Sequence, residues 1–288
     1  MLPLEECNTG IAGLGLMGGA IASALRETCG VARERLFACD KDSGTLNAAQ
    51  KAGLICQGFE PERAGEMLRS CDVVFLCLNP SAIIRFINKW ESSFKSSCLV
   101  TDIAGTKGSI AACAENIRKD IDFIPGLPMA GAEKGGFANS SLCSFSGKNY
   151  ILTPLSHNKP ENIEFLKKLI CRMGFSRITE VTPAEHDRKI AFTSQLCHLI
   201  AAALIDCEAD TAITRFGGGS FEDLTRIAML NAPMWTEIFI ENRDALLNRI
   251  EQFETSLDEL KLLINGAKAE ELEKRLNSVR DRRTQMSN

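Results

Sequence analysis

A glycine-rich segment near the amino terminus has the spacing of a phosphate-binding turn. Gly13, Gly15 and Gly18 form a GxGxxG pattern between an apolar run and a helical one. In such a turn the backbone approaches a pyrophosphate closely, and the N-terminus of the following helix offers free N–H groups and a partial positive charge. We therefore predict a dinucleotide site. Its predicted turn residues are Gly13, Leu14, Gly15, Leu16, Met17 and Gly18.

An acidic residue follows at the distance expected for ribose binding. Asp40 ends the second apolar run, 22 residues after Gly18, and a carboxylate roughly 20 residues beyond the turn accepts from the ribose hydroxyls in such sites. The same carboxylate would repel a 2′-phosphate. We therefore expect NAD as the cofactor, while Lys41 beside Asp40 leaves NADP open.

Two further loops are predicted to face the same ligand. Leu78, Asn79 and Pro80 lie at the end of the apolar run 73–78 and just beyond it, and we include them among the cofactor contacts. Asp102 ends another apolar run and precedes a loop of small residues that leads to Lys107. Open α/β sheets bind ligands beyond the carboxyl ends of their strands, so Asp102 is also a predicted cofactor-binding residue.

A parallel sheet would bring these loops together at one edge, where the carboxyl ends of its strands lie. The predicted strands are residues 11–14, 36–39, 73–78, 98–101 and 150–152, and the predicted helices between them include residues 21–28 and 83–90. Alternating strands and helices favour an α/β fold with right-handed crossovers. After residue 154 the strand signals stop, apart from a possible short strand at 176–181. We predict an α/β domain over residues 1–155 and an all-helical domain over residues 156–288.

The helical half contains two long predicted helices. Residues 182–185 form a capping box with proline at the first helical position, which predicts a helix to about residue 206. A second predicted helix runs from residue 233 to a stop signal at residues 265–266. Its apolar seam is formed by Leu246, Ile250, Phe253, Leu257, Leu260 and Ile264. Such a seam packs against another helix, either within the chain or, as we predict, across a homodimer.

Composition excludes several classes of function. A net charge of −4 and a pI near 5.6 give no general attraction to nucleic acid or anionic membranes. Apolar runs such as residues 199–205 are shorter than the roughly 20 residues that span a bilayer. The 12 cysteines are scattered without a CxxC pair, and only three histidines accompany them. We expect no metal site, no membrane contact and a reducing, cytoplasmic location.

Five further segments, at residues 100–108, 126–137, 194–198, 217–228 and 233–242, carry distinctive motifs. These motifs resemble, in the same order, those of the prephenate and arogenate dehydrogenases of tyrosine biosynthesis. The resemblance implies an N-terminal Rossmann-like domain followed by an all-α dimerisation domain. It also implies NAD(P)-dependent oxidative decarboxylation of a cyclohexadienol carboxylate.

Two positions depart from the family pattern. The family's Asp-x-x-Ser-x-Lys has Gly105 at the serine position, and its Gly-His-Pro-x-x-Gly has Leu127 at the histidine position. By resemblance, that histidine accepts the proton of the ring hydroxyl and the serine supports it. The first histidine of Ser-His-x-x-His is also replaced, by Gln195, and a lysine usual near the glycine triplet is replaced by Glu222.

Four retained residues are the predicted catalytic set. They are His198 from Ser-His-x-x-His, Arg226 as a partner for a substrate carboxylate, Glu133 over the pocket entrance, and Lys107. Each also has a structural interpretation. His198 would be a hydrogen-bonded core histidine, Arg226 a surface partner of Asp223, Glu133 an exposed loop residue beside Lys134, and Lys107 a helix cap.

Two classes of function therefore remain open. The first is an NAD-dependent dehydrogenase acting on prephenate, arogenate or another hydroxylated carboxylate. The second is a non-catalytic, NAD-binding dimeric relative, which the paired departures at Gly105 and Leu127 favour.

Overall fold

The N-terminal apolar runs form a six-stranded parallel sheet in the computed structural model, which describes residues 3–132 and 134–286. The strands are β1 (Thr9–Ala12), β2 (Leu36–Cys39), β3 (Gln57–Phe59), β4 (Val73–Leu76), β5 (Leu99–Asp102) and β6 (Asp122–Phe123). Their order is β3-β2-β1-β4-β5-β6. The direction of progression reverses between β1 and β4, which opens a crevice at the carboxyl ends of these strands.

Helices cover both faces of this sheet. They are α1 (Leu16–Glu27), α2 (Ser43–Lys51), α3 (Ala64–Leu68), α4 (Pro80–Trp90) and α5 (Gly108–Asn116). Successive strand residues point to opposite faces, so Val74 lies in one apolar cluster and Phe75 in the other. Burial on both faces explains why the strands read as unbroken apolar runs.

A second, smaller sheet follows. It contains β7 (Gly126–Pro128), β8 (Asn149–Leu152) and β9 (Arg177–Glu180), with α6 (Pro160–Arg172) between the last two. Strand β8 runs antiparallel to β7 and parallel to β9. Residues 150–152 thus form the predicted strand but outside the main sheet, because β7 turns back to pair with them. The possible strand at 176–181 also forms, so the α/β pattern continues past the predicted boundary at residue 155.

Helices dominate the chain after β9. They are α7 (Pro183–Ile190), α8 (Leu196–Asp206), α9 (Gly219–Thr225) and α10 (Ala232–Glu241), and a π-helical turn, Ala191–Gln195, joins α7 to α8. The Thr182 hydroxyl accepts from the Glu185 N–H at 3.2 Å, as the capping box predicts. The stretch Pro183–Asp206 is long and apolar enough to cross a membrane by those two criteria alone. Core helices of soluble proteins meet the same criteria, and His186 and Gln195 within this stretch are buried polar residues.

One compact unit ends at Asn242 and a second begins at Arg243. The second unit consists of α11 (Arg243–Asn265) and α12 (Ala269–Gln285), linked by an ion pair between Arg275 and Glu259. The prediction of a single helix from residue 233 to 265 is therefore wrong in one respect, since the helix is interrupted at Asn242. The Asn242 side chain bonds to the α7–α8 segment, which fixes the point of interruption.

Candidate active site

The glycine turn lies at the crevice between β1 and β4. Gly13 has a φ of +90°, and a Cβ there would lie 2.3 Å from the Cys77 carbonyl oxygen, so only glycine fits. A Cβ on Gly15 would have no described heavy atom within 4 Å. Gly13 is therefore required by the protein itself, whereas Gly15 leaves the backbone open toward the crevice.

The N-terminus of α1 is available to an anion. Within the described residues, no side chain caps this helix at Gly15. The corresponding N–H groups of α4 and α5 are occupied, because Glu237 accepts from Ser81 and Asp187 accepts from Gly108. The α1 terminus thus fits a pyrophosphate, whose charge complements the helix dipole.

Asp40 lies beside the glycine turn as predicted. Its carboxylate accepts from the N–H of Leu14 at 2.6 Å and from the N–H of Asp42 at 2.9 Å, and the side chain is half-buried. Leu78 contacts the turn as well, since its Cδ2 lies 2.8 Å from the position of a Gly13 Cβ. Asn79 and Pro80 begin α4 on the other side of the crevice. These residues together fit a dinucleotide.

Asp102 and Lys107 are placed differently from the prediction. The Lys107 Nζ donates to Asp102 Oδ2 at 2.6 Å and to the Ala104 carbonyl at 2.8 Å, and both charged side chains are 0% exposed. Asp102 Oδ1 accepts from the Gly126 N–H. Burial lowers the pKa of the Lys107 ammonium, and the nearby carboxylates oppose that shift. The structure does not present either group to a ligand, because each is occupied in joining β5 to its loop.

The loop after β5 carries Gly105, which packs on α10. A Cβ on Gly105 would lie 3.1 Å from Ile238 Cδ1, so a serine there would require the isoleucine side chain to shift by a few tenths of an ångström. Leu127 lies half-buried on β7. Position 127 therefore carries an apolar side chain where the family has histidine, and position 105 carries no side chain. Thr106 holds the same loop to α10 by donating to Glu241 Oε2 at 2.6 Å.

His198 has a defined tautomer, and no described residue is hydrogen-bonded to its second ring nitrogen. Its Nδ1 lies 2.9 Å from the Ser194 carbonyl oxygen, which can only accept, so Nδ1 carries the hydrogen and Nε2 carries the lone pair. The ring lies on Trp235, with centroids 3.9 Å apart. Burial lowers the pKa of His198, and the charge of Arg226 lowers it further. The imidazole is therefore neutral near pH 7 and able to accept a proton.

His198 and Gly105 both lie against α10, at positions one helical turn apart. Trp235 contacts the imidazole and Ile238 contacts Gly105, and three residues of α-helix rise about 4.5 Å. Arg226 lies exposed at the start of a short turn after α9, close enough to His198 to affect its pKa. Glu133 lies outside the described residues.

Sequence reasoning missed the residues of α7 and α10 that connect this site. Asp187, Ile238, Glu241 and Asn242 hold the loop after β5 or the α7–α8 segment. Their partners are up to 135 positions away, so periodicity gives no signal for them. Trp235 lies in a segment that supports the family resemblance, which was the available clue.

Comparisons with known proteins agree with this arrangement. Residues 21–178 match the family described as prephenate dehydrogenase, nucleotide-binding domain, and residues 182–278 match prephenate dehydrogenase, dimerization domain. The prephenate dehydrogenase of Bacillus subtilis (strain 168) is 28% identical over 279 residues, which cover 95% of this chain and 74% of that protein.

Solved structures are similar over nearly the whole chain. Prephenate dehydrogenase from Aquifex aeolicus, in complex with hydroxyphenyl propionate and NAD⁺, gives a TM-score of 0.86 at 28% identity and covers 97% of this chain and 98% of its own. Synechocystis arogenate dehydrogenase gives a TM-score of 0.78 at 27% identity, covering 96% and 99%.

A doubly wound sheet with a glycine turn at its crevice, followed by helices, defines a dinucleotide-binding oxidoreductase. Within that class, the chain belongs to the prephenate dehydrogenase family. The resemblance and the fold class inferred from the sequence are confirmed. The two family domains meet between residues 178 and 182, near the end of β9.

Proposed function

We propose that this protein is an NAD-dependent dehydrogenase that oxidises prephenate or arogenate with loss of carbon dioxide. The observation that carries the proposal is the neutral, half-buried His198, which lies close to Arg226 and packs on Trp235, one helical turn along α10 from the Ile238 that faces Gly105. Its relatives are named for these two substrates. In the reaction, the ring carbon that bears the hydroxyl loses a hydride, the hydroxyl loses its proton, and release of carbon dioxide leaves an aromatic ring.

Cofactor binding is assigned to the crevice between β1 and β4. The N–H groups of Leu16, Met17 and Gly18 at the start of α1 would hold the pyrophosphate, and the Asp40 carboxylate would accept from the ribose. Bound NAD supplies the hydride acceptor. Leu78, Asn79 and Pro80 would line the opposite wall.

His198 is the proposed acceptor of the hydroxyl proton. Other candidates among the described residues are occupied or unsuitable: Lys107 is paired and buried, burial raises the pKa of Tyr150, and His186 is only 1% exposed. Leu127 and Gly105 have no group that accepts a proton. His198 Nε2 has the lone pair, and its Ser194 bond fixes the ring orientation. Arg226 would hold a substrate carboxylate by charge-assisted hydrogen bonds. Glu133 stays a predicted catalytic residue.

The direct test is NAD reduction with prephenate and arogenate side by side. We expect turnover of at least one substrate, slower than in relatives that keep the histidine at position 127. His198→Asn should lower kcat by about 100-fold or more, the usual contribution of a general base. It should also remove the fall in rate at acid pH. His157→Asn, at an exposed site, is the matched control. An unchanged kcat in His198→Asn would exclude its role as the acceptor.

A second test restores the family's residues. Leu127→His with Gly105→Ser should raise turnover if the scaffold lacks only its usual base. The serine Cβ would lie 3.1 Å from Ile238 Cδ1, so Ile238→Val, which lacks that atom, should be added. Bound NAD with no turnover in the wild type or the triple variant would instead support a different hydroxylated carboxylate or a non-catalytic relative.

The assembly is proposed to be a homodimer through the C-terminal helices. The chain carries the family's dimerization domain, and part of the predicted seam on α11 is exposed in the single chain: Phe253 is 37%, Leu257 52% and Ile264 65% exposed, although Leu246 is buried. A two-fold pairing would bury this surface. Phe253→Asp with Leu257→Asp should give monomer or aggregate by light scattering, and a wild type that is monomeric at micromolar concentration would refute the proposal. We place the protein in the cytoplasm.

A further inference from the structure

Asp187 on α7 makes three hydrogen bonds with its side chain, two of which bridge distant parts of the chain. Its Oδ1 accepts from the Lys107 N–H at 2.8 Å and faces His186 Nδ1 at 2.8 Å, and its Oδ2 accepts from the Gly108 N–H at 2.9 Å. Lys107 is the N-cap position of α5, and its own side chain makes no capping bond. A carboxylate 79 positions away along the chain from Gly108 thus caps α5, where it also complements the helix dipole.

The contact that caps α5 also fixes the end of the loop after β5. At its start, Asp102 accepts from the Ala104 N–H and from Lys107 Nζ. At its end, Asp187 holds the two N–H groups that begin α5. Gly105 lies between these anchors and packs on Ile238. The position of the loop therefore depends on Asp102 within the sheet and on two carboxylates from outside it, Asp187 and Glu241.

Lys107 and His186 beside Asp187 are buried, whereas Gly108 is exposed, and no other described side chain accepts from the two N–H groups that Asp187 holds. His186 is 1% exposed, and its Nε2 is without a partner among the described residues. Because Nδ1 donates to Asp187, the carboxylate also fixes the His186 tautomer. Asn242 donates to the Asp187 carbonyl and to Gln195 Oε1, so the backbone at Asp187 is held as firmly as its side chain. Losing the carboxylate would leave the Lys107 and Gly108 N–H groups unpaired.

We propose that Asp187 is a positioning residue, which holds the loop 103–108 at the edge of the sheet where the substrate is oxidised. It does not contact the reacting atoms. It acts through the backbone of Lys107 and Gly108, and through them on Gly105 and the wall of the substrate pocket. The expected effect on kcat rests on the proposed function. The contacts between Asp187 and the loop do not depend on that function.

The test compares Asp187→Asn with Glu185→Gln on the same helix. Glu185 is 42% exposed at its side chain and lies 3.9 Å from Arg188 in a surface pair, so its variant controls for loss of a carboxylate on α7. We expect amide hydrogen exchange at Lys107 and Gly108 to be at least about tenfold faster in Asp187→Asn only. We also expect kcat to fall at least about tenfold while NAD affinity stays within about twofold, since the glycine turn is untouched.

The outcomes separate this inference from the proposed function. Unchanged exchange at both amides overturns it whatever the substrate. Faster exchange with kcat equal to that of Glu185→Gln also overturns it, because the contact would then be structural only. A wild type that oxidises neither substrate defeats the proposed function, while exchange still decides whether Asp187 holds the loop. If Asp187→Asn does not fold, Asp187→Ser, which keeps one acceptor oxygen, takes its place.

Discussion

The glycine turn at residues 13–18 and the loop at residues 103–108 follow two strands of the same sheet, yet they are held in different ways. The turn depends on contacts with nearby β-strand ends, such as the Cys77 carbonyl beside Gly13 and Asp40 beside Leu14. The loop depends on Asp187 and Glu241, from helices far along the chain. The turn is therefore fixed once the strands of the main sheet have paired. The loop is fixed only when α7 and α10 have also packed against it.

The largest effect is expected from a substitution that disrupts the glycine turn itself. Gly13→Ala places a Cβ 2.3 Å from a backbone oxygen at a φ of +90°, so we expect the free energy of unfolding to fall by more than about 3 kcal/mol. Gly15→Ala meets no such obstacle and should fold normally. Its methyl group would lie where the pyrophosphate approaches, so NAD affinity should fall by about tenfold or more. Urea unfolding and fluorescence titration measure the two effects. Equal stability losses would contradict the separate roles.

A second effect tests the buried anchor of the loop. Lys107→Met removes the ammonium and leaves the Asp102 carboxylate buried without its counter-charge. Breaking such a pair costs about 3–5 kcal/mol, which urea unfolding would detect. Lys51→Met, at an exposed position on α2, should stay within about 0.5 kcal/mol of wild type. A loss as small as in the control would mean that the pair does not anchor the loop.

A smaller effect concerns pH. Burial lowers the pKa of His186 from its ordinary value of 6.5, and that of His198 is lowered as well. The two histidines therefore bind protons more readily in the unfolded chain than in the folded chain. The stability present above pH 6.5 is lost as the pH falls through the pKa values of the folded state. Urea midpoints measured between pH 7.5 and 5.5, an interval about one unit either side of the ordinary histidine pKa, should decline. The decline should be shallower in His186→Asn, and an equal slope would show that His186 does not contribute.

The smallest effect sharpens the cofactor assignment. Asp40 is half-buried beside the turn, and its charge disfavours a 2′-phosphate. Asp40→Asn should improve NADP binding relative to NAD by about fivefold, which corresponds to about 1 kcal/mol for a partly exposed charge. Titration of both cofactors provides the measurement. Tighter binding of NADP than NAD by the wild type would overturn the preference.

Much of the fold followed from local patterns. The strands β1, β2, β4 and β5 lie within two residues of their predicted positions, because strands buried on both faces produce continuous apolar runs. The capping box at Thr182 and the helix end at Asn265 are also local signals. The interruption at Asn242 and the second sheet were not visible, since both depend on pairing with distant segments.

For the site, the sequence by itself determined the glycine turn, Asp40 and the chemical types of His198 and Arg226, because these rest on residue identity and short spacing. Only the tertiary structure decided that Lys107 and Asp102 pair in the interior, that Ile238 packs beside Gly105, and that Asp187 caps α5. The physical reason is the distance along the chain over which each kind of interaction acts. Steric and helix-dipole requirements act within a few residues of a turn, whereas burial and ion pairing depend on which distant elements the folded chain brings together.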